Sequence, residues 1–306
     1  MKNFTLKQLR YFDALARHQH FGRAADASAI SQPALSMQIK ELENELGAAL
    51  VERRARAIAL TGLGEEFAKR VRDILRSVDE LGDLARAPGD HLTGRLRLGV
   101  IPTIAPYLLP RVIGLLSHTY PDLDLHLRET QTQTLIHELR EGRLDAAIVA
   151  LPISEPSFEE VPLFSENFIL VRPYADRESP VPSPERLRDM RLLLLEEGHC
   201  FRDQALAFCN MQNALPREML EGSSLSTLVQ LVSSGIGVTL VPEMALPVET
   251  RSAKVSVAAF DAPEPKRDIG LIWRKSSPIS APLHKVAELV RQAHRDPPAP
   301  DPTLTN

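Results

Sequence analysis

The hydrophobic period changes once along the chain, near residue 88, and that change constrains the fold most. Before it, apolar residues recur at intervals of three and four; after it, short apolar strand-like runs alternate with helical ones. A 306-residue chain split in this way is expected to form about two domains, each large enough to bury a core.

In the first part, Thr5 and Gln8 have capping-box spacing, and Leu6, Leu9, Phe12, Leu15 and Ala16 follow at helical intervals. This predicts a first helix. A short segment over 21–28 holds Ala24, Ala25 and Ala27, small side chains that let two helices approach closely. After a break at Ala29 and Ile30, Ser31 can cap a third helix, with Pro33 in its first turn and Gly47 as its stop. Leu35, Ile39, Leu42 and Leu46 give that helix a core face. The opposite face carries Pro33, Met37, Lys40 and Asn44, flanked by Ala34 and Ser36, a small and mostly neutral surface that fits a DNA groove. Two short helices joined by a tight turn form a helix-turn-helix arrangement; on periodicity alone, a purely structural three-helix domain competes with it. Charge points the same way, weakly. Residues 1–60 carry nine Lys/Arg against six Asp/Glu and residues 89–306 carry 22 against 28, so the net charge of -4 averages a slightly basic head with an acidic body.

Thr61 and Gly62 open a long helix in which Leu63, Phe67, Val71, Ile74, Val78, Leu81 and Ala85 form an a/d seam of about three heptads. Such a seam is expected to pair with a second copy; packing on the chain's own body is the alternative. Pro88, Gly89 and Gly94 then mark a hinge. Beyond it, strands are expected at 95–101, 123–128, 145–151, 168–171, 192–195, 237–241 and 269–273, with helices between, an α/β pattern with parallel sheets. The uncharged stretch 222–242 contains eight Ser, Thr or Gln side chains, which fits a buried helix-turn-strand better than a membrane span. With no apolar run and cleavage site near the start, the chain is expected to be cytoplasmic.

Ligands of open α/β sheets sit beyond the carboxyl ends of the strands. Thr103 follows the first such end, Thr130 and Thr132 the second, and four leucines at 192–195 run into Glu196, Glu197, Gly198, His199 and Cys200. Cys200 and Cys209 are the only cysteines, too few for a disulfide framework, and no Cys/His cluster has metal-ligand spacing. The bland reading of each is a small buried hydrophobe. However, His199 and Arg202 flank Cys200, and a cation or a helix N-terminus there would favour a thiolate, with Asp203 opposing. If the intervening residues are helical, the two cysteines lie about 13 Å apart along the axis, whereas a disulfide needs Cα atoms within about 7 Å. A bond between them would require that helix to unwind.

The string FGRAADASAISQPALSMQIKELENELGAALVERR closely resembles the head of the LysR-type bacterial transcription regulators, in its Ala-Ala pair, Ser-Gln-Pro-Ala-Leu-Ser, Ile-x-x-Leu-Glu and Leu-Gly-x-x-Leu-x-x-Arg. The resemblance implies a winged helix-turn-helix over 1–60, with Ser31, Gln32, Pro33, Ala34, Ser36, Met37 and Lys40 at the major groove and Arg53, Arg54 and Arg56 in or beside the wing. It implies a dimerising linker helix over 61–87, using Phe67, Val71, Ile74, Val78 and Leu81. It further implies a regulatory domain over 88–295 with two subdomains like the lobes of periplasmic solute-binding proteins. Residues 95–165 and 268–295 would form one, 166–267 the other, with crossings near Ser165 and Asp268 and a disordered tail over 296–306.

EEGHCFRDQALAFC, GVIPTIAPYLLP, ETQTQTL, SLSTL and PEPKRDIGL narrow the resemblance to the peroxide-sensing OxyR branch of that family. By that resemblance Cys200 is the peroxidatic thiol and Cys209 the resolving one. Thr103 and Thr132 would hydrogen-bond H2O2, with His199, Arg202, Asp203 and Arg267 shaping the pocket. The implied partners are promoter DNA, RNA polymerase, further copies of the chain in a dimer or homotetramer, and a glutaredoxin or thioredoxin as reductant. No cofactor, metal or membrane is implied. A second reading keeps DNA binding but makes the inter-subdomain cleft a small-molecule effector site, with Thr103, Thr132 and residues 224–227 holding a carboxylate. A third, a thiol peroxidase enzyme, leaves residues 1–87 without a role.

Overall fold

The computed structural model describes residues 4–54, 57–86, 92–187, 189–209 and 219–295, arranged as two compact units, Met1–Ala85 and Arg86–Asn306. Three sequence expectations therefore lie outside the described residues: Arg56, the hinge at Pro88 and Gly89, and the tail 296–306.

The first unit begins with α1 (Leu6–His18), whose Thr5 hydroxyl accepts from the Gln8 amide while the Gln8 side chain accepts from the Thr5 N–H. The predicted capping box is present. A short α2 (Phe21–Ala27) follows, then α3 (Gln32–Leu46), capped by the Ser31 hydroxyl and ended by Gly47 in the left-handed region. Next come β1 (Val51–Arg54) and β2 (Ala57–Leu60), an antiparallel ribbon that forms the wing, and the long α4 (Gly62–Arg86). The core joins Phe12, Leu15, Ala24, Leu35, Ile39 and Leu42 to Ala68, Val71 and Leu75 of α4. Here one expectation is corrected. Val71 is fully buried in the head, and Phe67 packs edge-on against Phe4 and Phe12. These two residues of the predicted seam are core, because α1 and α4 enclose them, while Leu63, Ile74 and Leu81 remain exposed.

The second unit runs β3 (Gly94–Val100), α5 (Ala105–Thr119), β4 (Leu123–Glu129), α6 (Thr132–Arg140), β5 (Ala146–Leu151), β6 (Phe158–Pro173), α7 (Pro184–Leu187) and β7 (Leu192–Leu195). It continues with α8 (Cys200–Phe208), β8 (Met219–Gly222), α9 (Leu225–Ser233), β9 (Val238–Pro242), α10 (Leu246–Glu249), β10 (Val255–Ala258), β11 (Lys266–Arg274) and α11 (Ser280–Arg295). Nine strands lie in the order β4-β3-β5-β11-β6-β9-β7-β8, with β10 beside β6. The sheet is mixed, not parallel throughout. β3 pairs parallel with β4 and β5, and β7 with β8 and β9, but β6 and β11 run antiparallel to their neighbours. Two hydrophobic cores result, one under β3, β5 and β11 with α5 and α11, the other around β7, β9, α8 and α9. The chain passes between them along β6 and returns along β11, where Ser165 and Asp268 are register partners and share a hydrogen bond. The stretch tested as a membrane span is α9, a turn and β9, and among the described residues no helix is long and apolar enough to cross a membrane.

Candidate functional site

All three strand ends singled out in the sequence meet at one cleft. Its walls are Ile101, Pro102 and Thr103 after β3, Gln131 and Thr132 at the start of α6, and His199, Cys200 and Phe201 at the start of α8. The leucines of β7 anchor the last of these groups: all four are buried, and the chain leaves them through Glu196, Glu197 and Gly198.

Thr103 is held from behind. Its hydroxyl accepts from Arg267 Nη1 at 2.7 Å and its carbonyl from Nη2 at 3.1 Å. The guanidinium in turn donates to Glu166 through Nε at 2.8 Å, and Glu166 also accepts from the Met244 amide. Both side chains of this ion pair are almost fully buried, at 0% and 3% exposure, and the Arg267 guanidinium sits over the Phe201 ring at 5.4 Å. Thr132 differs: it is buried, and its hydroxyl oxygen has no hydrogen-bond partner. A buried hydroxyl left unpaired beside a cleft has capacity for a small polar guest.

Cys200 is half-buried and is the first residue of α8, where backbone N–H groups have no intrahelical acceptor and the helix dipole presents its positive end. Cys209 stands at the other end of the same helix, buried in the second core and donating its N–H to the Ala205 carbonyl. Neither forms a disulfide.

The other expected pocket residues fall in different places. His199 lines the cleft as the N-cap residue of α8, but burial pushes its pKa below the ordinary histidine value, with Glu196 opposing. At neutral pH it is therefore a neutral ring, which corrects the expectation of a cation there. Arg202 is not in the cleft wall. Its guanidinium donates to the Leu195 carbonyl at 3.0 Å and to Glu221 at 2.6 Å, fastening α8 to β7 and β8. Asp203 is exposed on α8 and also lies off the cleft wall, because it is a helical turn removed from Cys200. Arg267 acts on the cleft only through Thr103. At residues 224–227, which the effector reading uses, the Ser224 hydroxyl caps α9, accepting from the Thr227 amide, and shares a hydrogen bond with the Thr227 hydroxyl. Sequence reasoning missed Gln131 and Glu166. The repeated Gln-Thr of ETQTQTL was a signal for the first; nothing local marked the second.

In the head, Ser31, Gln32, Pro33, Met37 and Lys40 are exposed, with Ala34 and Ser36 half-buried beside them. Leu35 and Ile39 point inward, so the predicted DNA face of α3 is open. Arg53 and Arg54 end the first strand of the wing.

A family model for the bacterial regulatory helix-turn-helix protein, lysR family, matches residues 6–65, and one for the LysR substrate binding domain matches 89–295. The DNA-binding transcriptional dual regulator OxyR of Escherichia coli K12 is 42% identical over 291 residues, 94% of this chain and 95% of its own. A probable hydrogen peroxide-inducible genes activator of Streptomyces viridosporus is 45% identical over 300 residues, 96% of each chain. The chain belongs to the OxyR group of LysR-family transcription regulators. A full-length cysteine variant of Pseudomonas aeruginosa OxyR superposes with a TM-score of 0.74 at 38% identity, covering 95% of this chain and 96% of that one. An H2O2-bound cysteine variant of Corynebacterium glutamicum OxyR superposes at 0.62, 36% identical over 96% of each chain. Membership makes the open α3 face and wing of this OxyR-group chain a DNA-binding head of the winged helix-turn-helix kind.

Proposed function

We propose that the chain is a cytoplasmic hydrogen-peroxide sensor that controls antioxidant genes by reversible disulfide formation between Cys200 and Cys209. The observation carrying this reading is the placement of the two thiols. One opens α8 inside a cleft with the unpaired Thr132 hydroxyl, and the other is sealed in the core at the far end of that helix. The Cys200 thiolate attacks one oxygen of H2O2; the O–O bond breaks, giving a sulfenic acid and releasing hydroxide. Thr103 and Thr132 are the residues to hold the peroxide. The Cys209 thiolate then attacks the sulfenic sulfur, forming the disulfide and expelling the second oxygen as water after protonation.

The second step cannot occur with α8 intact, since nine helical residues separate the sulfurs by roughly 13 Å of axial rise. Oxidation therefore unwinds α8 and draws Cys209 out of its core, a two-state element that DNA-bound subunits can read. The chain acts as a dimer or homotetramer on promoter DNA, engages RNA polymerase, and is reset by glutaredoxin or thioredoxin. A relative that is a probable hydrogen peroxide-inducible genes activator and an H2O2-bound structural neighbour support the peroxide response.

Treating the purified protein with stoichiometric H2O2, mapping thiols by mass spectrometry and footprinting DNA fragments it selects from its own genome tests the reading. The expected result is a Cys200–Cys209 disulfide and a changed footprint, both lost in Cys200→Ser. A wild type whose Cys200 stays reduced, or a variant that still responds to peroxide, sinks it.

A further inference from the structure

Gln131 occupies the N-cap of α6 yet makes no capping bond with its side chain. Residues favoured there use a short side chain to satisfy the helix's own N–H groups. Gln131 instead reaches across the cleft, where its Nε2 donates to the Glu197 carbonyl at 3.2 Å, 66 positions away. Its amide also lies directly over Gly198. A Cβ built on Gly198 would meet Gln131 Oε1 at 2.4 Å, Cδ at 2.8 Å and Nε2 at 2.9 Å, and Gly198 has φ +92°, in the left-handed region. The φ value favours glycine at that position, and a side chain there would also have to push the end of Gln131 aside.

The two ends of this bridge matter. Gln131 precedes Thr132, whose buried hydroxyl is unpaired, and Gly198 lies two positions before Cys200. One hydrogen bond and one close contact thereby tie the Thr132 end of the cleft to the loop that follows β7 of the second core and leads into Cys200, which itself packs against the first core.

We propose that Gln131 is a positioning residue that sets the separation between the Thr132 hydroxyl and the Cys200 sulfur, so that a peroxide held by the first is presented to the second. This rests on the reading of Cys200 as the peroxide-reactive thiol. Gln131 does not touch the reacting atoms. Its loss leaves a reactive sulfur in a misaligned cleft, and a small misplacement of reacting groups costs rate steeply.

The test compares two reagents on the full-length reduced protein. Iodoacetamide alkylates the sulfur without needing the threonine wall, whereas H2O2 requires it. In Gln131→Ala the ratio of the H2O2 rate to the iodoacetamide rate at Cys200 is expected to fall by about threefold or more, the rate equivalent of a single hydrogen bond. A smaller fall overturns the proposal, as does a parallel loss with both reagents, which would mean a general structural effect. Gln131→Met retains bulk over Gly198 without an N–H donor and carries the test if the alanine variant does not fold. The reading beneath fails differently: wild-type Cys200 would then be unreactive toward H2O2, whatever the variants do.

Discussion

Removing a guanidinium from water costs several kcal/mol unless its donors find acceptors, so the positions where this chain buries arginines show what it holds fixed. Arg267 satisfies the condition through Glu166 and Thr103, and Arg202 through Leu195 and Glu221. Both stand near Cys200 in sequence or by resemblance, and both are spent on structure rather than on the cleft. Histidines are treated likewise. Burial lowers the pKa of His199, with Glu196 opposing. Burial also lowers that of His294, which stacks on Phe164 at 3.8 Å with Glu166, Arg111, Glu243 and Arg295 as the charges around it. In each case the folded chain binds its proton less tightly than the unfolded one. Stability is therefore fully present above the unfolded value near 6.5 and is lost as pH falls below it through the lower folded value. The urea midpoint of the reduced protein is expected to drop between pH 7.5 and 5.5, and His294→Phe, which keeps a stacking ring without a titrating group, should flatten that slope. An unchanged slope would remove His294 from the account. What sequence could show at this scale was adjacency: His199 beside Cys200 was visible, but its neutral state depends on burial. The partners of Arg267 lie 164 and 101 positions away, beyond any local pattern.

Whole elements were more legible when their cause was local. The Thr5 capping box, the Ser31 cap and Gly47 stop of α3, the four-leucine β7 and the helix between the cysteines all follow from neighbouring residues. The linker helix shows where such reading ends. Its seven-residue repeat was plain, but a repeat does not say which partner each turn meets. At 100° per residue, Leu63, Ile74 and Leu81 fall within about 20° of one another, and they are 52%, 43% and 64% exposed. Phe67 and Val71 lie further around the helix and are captured by the head. The self-association proposed for the chain would therefore use the exposed stripe of α4. Replacing Ile74 and Leu81 together by Glu is expected to reduce the assembly by at least one step in sedimentation velocity, with helix content preserved. Val71→Asp, by contrast, buries an unpaired carboxylate and should destabilise the head by about 3 kcal/mol or more in urea melts. Undiminished association of the Ile74/Leu81 variant would rule out the stripe as the contact.

Across the regulatory unit, the feature that sequence periodicity could not supply is the antiparallel pair β6 and β11. Register between strands about a hundred residues apart is set by tertiary packing, and edge strands as short as β8 and β10 leave little pattern to read. Those two long strands join the cores, so any change in α8 must be transmitted across contacts bridging them. One is the Gln131 contact with the loop before Cys200. Another is Tyr107 of α5, whose hydroxyl donates to Glu249 of α10 at 2.6 Å and whose ring is buried in the second core although its helix packs on the first. Burial and the facing Glu249 carboxylate raise the Tyr107 pKa far above its ordinary value, so the phenol remains a donor at every physiological pH. A hydrogen bond from a buried phenol to a carboxylate is worth about 1.5–3 kcal/mol by comparison with other charged pairs. In a double-mutant cycle of Tyr107→Phe and Glu249→Gln, urea unfolding of the reduced protein should therefore show a coupling energy of about 1 kcal/mol or more. If the two losses simply add, the pair contributes nothing to holding the cores together, and the coupling of α8 to the rest of the unit runs through other contacts, among them Gln131, Arg267 and the packing of Cys200 on the first core.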